Sequence, residues 1–429
     1  MRRNDRTQVL VVGAGPVGMF TALRLADSGL GVQLIDQESR TAGRSYACSL
    51  HPRSLQLLDE AGVARDAIQH GHKIESLAFY EEASRRAEIQ LSKLPGEFRF
   101  VLVLKQSALE DLLEKKLHER ARLKIHWNHR LADLGMRDGA AAVTLEELAL
   151  AGKGYVVPQF EMEVKQTIPA AAEFVVGADG QNSAVRRQLN IESQRIGEPQ
   201  LFGVYEMETE AELAPEMRIV FHKQTVNVLW PLGPKKCRWS LQLLQPDAPE
   251  EFPQKDRNRF LIAEAPNDQD NRHQLQQMLA ARAPWFQAGV KEVGWATHIQ
   301  FDHRCASQFG RGRAWLAGDA AHQTGPVGMQ SMNMGLREGA DLAARLKLIL
   351  REKGSLELLQ TYDQERRREW ERMLGLKGDP KPGARTDAWV RQRGGELPQC
   401  IPASGPELTL LLSQLGLEFD PAGPGKAGA

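Results

Sequence analysis

Four apolar residues in an unbroken run, Val9-Leu10-Val11-Val12, lead into Gly13-Ala14-Gly15-Pro16-Val17-Gly18. A continuous apolar run is the pattern of a parallel strand covered on both faces. The segment Val32-Gln33-Leu34-Ile35-Asp36 predicts a second strand, so residues 8–36 read as one βαβ unit. A helix is expected from His51 to Glu60, closed at Ala61-Gly62. Residues 74–104 read as strands broken by charged turns. Leu109, Leu112, Leu113 and Leu117 fall on one face of a helix that starts at Gln106. Strands are expected over 140–178, and a mostly β pattern over 195–300. Within it, Val226–Leu232 and Arg238–Leu243 are joined by the turn Gly233-Pro234-Lys235-Lys236. A short buried strand, Ala314-Trp315-Leu316, precedes helices over 331–352 and 356–373.

The order predicts an α/β fold with an α+β insertion. A Rossmann-type nucleotide domain (1–73, 101–190 and 301–350) is interrupted by a β-sheet substrate domain (74–100 and 191–300). Residues 351–429 follow as C-terminal helices and a tail. Past Gly375 the chain is rich in Gly, Pro and Arg and is expected to wrap the surface, with disorder over 421–429. A seam between such domains is a common place for a small-molecule pocket.

Composition narrows the partners. Lysine plus arginine and aspartate plus glutamate are equal at 55 each. That balance argues against a nucleic-acid partner, which selects a basic face. Cys48, Cys237, Cys305 and Cys400 lie far apart with no metal spacing, so no metal site is expected and the thiols read as reduced, in a cytoplasmic protein. No apolar leader or membrane-length stretch appears.

The glycines carry the first chemistry. In a G-x-G-x-x-G turn, Gly13 permits the bend, Gly15 lets backbone N–H groups approach a pyrophosphate, and Gly18 lets the helix close on the strand. The anion sits at a helix N-terminus. Asp36 follows at the spacing of a ribose-binding acid. Two further motifs are Gly177-Ala178-Asp179-Gly180, running on to Arg186, and Gly318-Asp319-Ala320-Ala321-His322, with Pro326, Gln330, Asn333 and Gly335 after it. Each acid has a plainer role open to it, as the cap of a turn or helix.

On these three motifs the sequence, from about residue 8 to 370, resembles the class A flavoprotein monooxygenases, the para-hydroxybenzoate hydroxylase family. The resemblance implies FAD as cofactor, NADPH or NADH as transient co-substrate, and dioxygen with an aromatic, phenolic or polyketide-type molecule as partners. It implies hydroxylation through a flavin C4a-hydroperoxide, in secondary metabolite biosynthesis. Gly13, Gly15 and Gly18 would cradle the pyrophosphate, and Asp36 would hold the adenosine ribose. Arg44 would lie in a loop that moves with the flavin, and Gln106 would contact the ribityl or phosphate region. Asp179 would serve FAD and nicotinamide binding, and Asp319 the ribityl chain. Pro326, Gly328, Met329 and Asn333 would line the ring, with the helix from about Gln330 aimed at its N1/O2 edge. Arg44 and Pro326 are thus the candidates nearest the chemistry, and no general base is assignable. His322 reads as structural.

One departure stands out. Relatives usually read Pro-x-x-Gly-Gln-Gly-x-Asn, whereas Met329 and Ser331 occupy the two glycine positions here. A methionine there could crowd the ring, and a serine could bond its edge. Substrate residues are expected on the middle strands, with Tyr205, His222, Asn227 and Trp230 as candidates. No second glycine fingerprint is present, so no separate nicotinamide domain is expected. Three other readings stay open: an FAD-dependent oxidoreductase without oxygen insertion, a flavin-dependent halogenase, and a non-enzymatic flavin-binding accessory protein. The halogenase requires a Trp-x-Trp-x-Ile-Pro run that Gly294-Trp295-Ala296-Thr297-His298-Ile299 does not match.

Overall fold

The computed structural model describes residues 7–41, 49–120, 123–137, 139–153, 159–244, 262–264 and 268–419. The opening apolar run forms the strand Thr7–Val12, in which Val9 and Val11 are wholly buried. It pairs in parallel with Val32–Ile35 on one side and with the end of the long strand Gln159–Gly177 on the other. The register is decisive for the site. Val12 lies beside Ile35 and Gly177, and Gly177 lies beside Leu316 of the strand Ala314–Leu316. The glycine turn, the Asp179 loop and the Asp319 turn therefore leave the same edge of one sheet. In open α/β sheets that carboxyl edge is where ligands bind.

A second, eight-stranded sheet holds Glu292–Phe301, Gln200–Glu208, Lys236–Leu243, Thr225–Gly233 and Glu216–His222 in that order. Ser76–Glu81 pairs in parallel with Glu216–His222, which brings the early segment across to this sheet. The 225–243 hairpin forms as its alternation predicts. A helix at Asp268–Arg282 departs from the all-β expectation for this region. Its only well-buried apolar residues are Leu275 and Leu279, so its apolar edge is too narrow for periodicity to reveal. That edge covers Tyr205, Met207 and Leu241 of the sheet.

The predicted helices appear at Pro52–Glu60, Gln106–His118, Gln330–Glu352 and Glu357–Met373. The segment after Gly375, expected to wrap the surface, forms short helices at Ala388–Arg393, Leu397–Cys400 and Gly405–Ser413 and buries Leu397, Ile401, Leu411 and Leu412 in the main core. It packs on the second sheet. Trp389 packs on Phe79 and Phe221, and the Gln414 side chain bonds both the N–H and the C=O of Gln90. Residues 421–429 and Arg44 lie outside the described residues, as does Cys48. Among the described residues no helix is long and apolar enough to cross a membrane.

Candidate cofactor and substrate site

A cavity of about 730 Å³ opens at the carboxyl edge of the first sheet. Gly13, Gly15, Asp36, Gln106, Asp179 and Asp319 all line it. Gly13 holds φ at +102°, and a side chain there would drive its Cβ to 2.2 Å from the Ala178 carbonyl oxygen. At Gly18 an added Cβ would meet the Gly13 oxygen at 1.8 Å. Gly15 is different, since an added Cβ would meet nothing within 4 Å. Its bare backbone faces open space at the start of the helix Pro16–Asp27, where unpaired N–H groups attract an anion.

The three acids have unlike surroundings. Asp36 accepts from the Ala14 N–H at 2.5 Å and from the Glu38 N–H at 2.8 Å, so it braces the glycine turn while facing the cavity. Asp179 accepts from Ser183 Oγ at 2.6 Å and from the N–H groups of Ala184 and Val185. It is thereby a cap for the short helix Ala184–Gln188, although burial still raises its carboxyl above the usual range. Asp319 has no hydrogen-bond partner among the described residues, and burial raises its carboxyl too. An unpartnered, desolvated carboxyl facing a long cavity suits the hydroxyl groups of a polyol. Together with the open Gly15 cradle, it makes this cavity fit a flavin dinucleotide. Gln106 bonds Glu110 at 2.7 Å at the cavity wall.

The loop after His322 is held from three sides. Asn333 accepts from the His51 N–H at 2.8 Å and donates to the Ser49 and Met329 carbonyls. His51 Nε2 donates to the Gly328 carbonyl at 3.0 Å. Gln330 donates to the Ile401 carbonyl at 2.5 Å, tying the loop to the C-terminal segment. Pro326 is buried within it. Met329 takes the left-handed conformation, with φ at 51°, where a glycine would sit without cost. Its side chain packs into the main core and lines neither described cavity. Ser331 Oγ accepts from the Thr324 N–H at 2.9 Å, so the hydroxyl braces the loop. Met329→Gly is expected to relieve about 1 kcal/mol of backbone strain but to lose more than that in buried side chain. The net result is a lower urea midpoint.

Burial of His51 sets a pH dependence. Desolvation pushes its imidazole down from 6.5 to about 3. As pH falls below 6.5 the unfolded chain binds the proton first, so stability falls progressively until about pH 3. The loss is on the order of 5 kcal/mol. Urea unfolding between neutral and acid pH should show it, and His51→Gln should flatten the difference.

Sequence reasoning missed a buried acid that organises this edge. Glu338 is fully buried and accepts from the Gly318 N–H at 2.9 Å, His322 Nε2 at 2.7 Å and Trp370 Nε1 at 3.0 Å. His322 stacks on Trp370 at 3.9 Å between ring centroids, which is a structural placement. The signal was a glutamate on the inward face of a long helix, ambiguous until its partners were known. Arg186 was missed as well. It donates to the Ala320 and Gln181 carbonyls at 2.6 Å each, linking the Asp179 loop to the Asp319 turn.

A second cavity, of about 230 Å³, lies between the second sheet and this loop. Gln200, Phe202, Val226 and Gln242 line it from the sheet, His303, Gly325, Val327 and Gln330 from the loop side, and Met373, Gln399 and Cys400 from the C-terminal part. None of the four expected substrate residues is among its described lining residues. Tyr205 is buried under the Asp268–Arg282 helix, where desolvation raises its hydroxyl to about 12. Trp230 is wholly buried in the main core. Asn227 bonds Val220, Thr225, Gln242 and Arg282 inside the sheet. His222 sits 4.0 Å from Glu82 at the sheet's far end. Their place on the middle strands made them candidates, but the sheet has two covered faces and strand position does not say which one meets the loop.

The family described as "FAD binding domain" matches residues 6–376. The chain belongs to this FAD-binding family. Among curated relatives, this FAD-binding chain is 26% identical over 368 residues to pentachlorophenol 4-monooxygenase of Sphingobium chlorophenolicum, covering 83% of this chain and 61% of that protein. It is 27% identical over 368 residues to 6-methylpretetramide 4-monooxygenase of Streptomyces rimosus, covering 84% and 59%. The chain thus spans about three fifths of the length of these curated relatives. A crystal structure of p-nitrophenol 4-monooxygenase from Pseudomonas putida DLL-E4 shares the fold, with a TM-score of 0.71 at 20% identity, covering 96% of this chain and 94% of that one.

Proposed function

We propose that the chain is an FAD-dependent, NAD(P)H-consuming monooxygenase that hydroxylates a small aromatic or phenolic compound. One observation carries this reading. The 324–333 loop stands between two cavities, with Met332 lining the larger and Gly325, Val327 and Gln330 the smaller. A dinucleotide held in the first would reach the loop that walls the second. The names of the relatives, all aromatic-compound monooxygenases, support the same reading.

In this proposal Gly13, Gly15 and Gly18 shape the pyrophosphate cradle, and Asp36 meets the adenosine ribose. Asp319, Asp179 and Gln106 face the middle of the cofactor. Pro326, Gly328, Met329 and Asn333 fix the loop against the ring, Met329 from behind through the core. Arg44 belongs to the same proposal from the 42–48 segment. Bound FAD supplies hydride acceptance and dioxygen activation. The protein's part is to orient the reactants and keep the chamber dry, and the C-terminal segment closes one wall of it through Gln399 and Cys400. NAD(P)H binds transiently, without a domain of its own. Free Cys237, Cys305 and Cys400, buried or half-buried, fit a reducing cytoplasmic setting.

The test is substrate-stimulated NAD(P)H oxidation by the FAD-loaded protein across phenols, quinones and polycyclic polyketides. Peroxide release and incorporation of labelled dioxygen are followed together. Stimulation with label in the product and little peroxide is expected. Stimulated turnover that never incorporates label would instead identify an oxidoreductase without oxygen insertion.

A further inference from the structure

The smaller cavity holds two buried polar atoms without a partner among the described residues, His303 Nε2 and Gln330 Oε1. The Gln330 amide nitrogen is committed to the Ile401 carbonyl, so its oxygen is left as an acceptor facing no donor. His303 Nε2 lies 3.3 Å from where a Cβ on Gly325 would sit, and Gln200 Oε1 lies 3.2 Å from the same point. The absent side chain at Gly325 is what leaves this corner open. Burial depresses the His303 imidazole below its ordinary value, against a small opposing effect of Asp302, so the ring is neutral at pH 7. Glu396 is the only charged side chain among the described lining residues, and it is exposed and paired with Arg393. Size adds a second limit. A cavity of ~150 Å³ already holds benzene, and 230 Å³ is room for one substituted ring or two fused rings.

We propose that this cavity takes a small phenol in its protonated form, with the ring hydroxyl donating to His303 Nε2. His303 is then the group that receives the hydroxyl proton. The O–H bond breaks, the N–H bond forms, and the electron pair left on oxygen enriches the ring for attack. Gln330 Oε1 accepts from a second donor on the ring or on its product. This rests on the reading above that the smaller cavity takes the substrate.

The test uses FAD-loaded protein and p-nitrophenol, whose phenolate is coloured and whose phenol is nearly colourless. At a pH where the free compound is half ionised, difference spectra should show phenolate absorbance falling as the ligand binds. His303→Leu should weaken binding about 10-fold and abolish that preference. His303→Gln keeps an acceptor but cannot take the proton. With any phenol that supports NAD(P)H oxidation, it should leave KM within about threefold and lower kcat by on the order of 100-fold. The proposal is overturned if p-nitrophenol fails to bind, if it binds as phenolate, or if His303→Leu binds it as the parent does. The titration reads binding and protonation without turnover. A protein that passes it yet hydroxylates nothing refutes the monooxygenase reading and leaves this one standing.

Discussion

Glu338→Ala is expected to destabilise the protein by about 3–5 kcal/mol, the cost of stripping partners from a buried polar cluster. The substitution orphans three buried donors at once: the Gly318 N–H, the His322 ring and the Trp370 indole. It also opens a void against the main core. Glu338→Gln does not rescue the site, because its amide nitrogen must face one of those donors. The effect has a functional side. Gly318 begins the turn that carries Asp319, so losing its anchor loosens the flavin acid as well. Urea unfolding gives the stability loss. Stability within 1 kcal/mol of the parent would remove Glu338 from the organising role given to it.

Asp319→Ala is expected to purify colourless or weakly yellow, with FAD affinity reduced on the order of 100-fold. The carboxyl has no partner among the described residues and lines the larger cavity, so the folded protein loses little when it is removed. The ligand loses two hydrogen-bonding oxygens inside a desolvated channel. Asp319→Asn keeps one acceptor and adds a donor, and should recover affinity to within about 10-fold of the parent. Flavin fluorescence on titration measures all three proteins. Full yellow colour and unchanged affinity in the alanine variant would show that the strand-end acid is only a turn residue. The two variants separate on stability, which the first loses and the second keeps.

Much of this architecture is legible in local pattern. The run Val9–Val12, the glycines that follow and the acid at Asp36 each obey a local rule of burial, turn geometry or anion binding. The 225–243 hairpin and the long helices after Gln330 are equally local, because turn chemistry and helical spacing act over a few residues. Neutral net charge is legible for the same reason: it is a sum over residues and needs no fold. Local pattern therefore sets the element order, apart from the helix Asp268–Arg282, and the presence of three nucleotide motifs.

What those motifs meet depends on how the strands and layers pack. Parallel register between Val12, Gly177 and Leu316 gathers residues more than 300 positions apart onto one edge. Glu338 and Arg186 look like ordinary helix residues until that edge exists. Tyr205 and Trp230 read as pocket candidates, yet they are committed to cores on the covered sheet, while His303 and Gln330 face the smaller cavity. The physical reason is that period-two alternation fixes a side chain's face but not its neighbour. Neighbours across a seam are chosen by how whole layers pack.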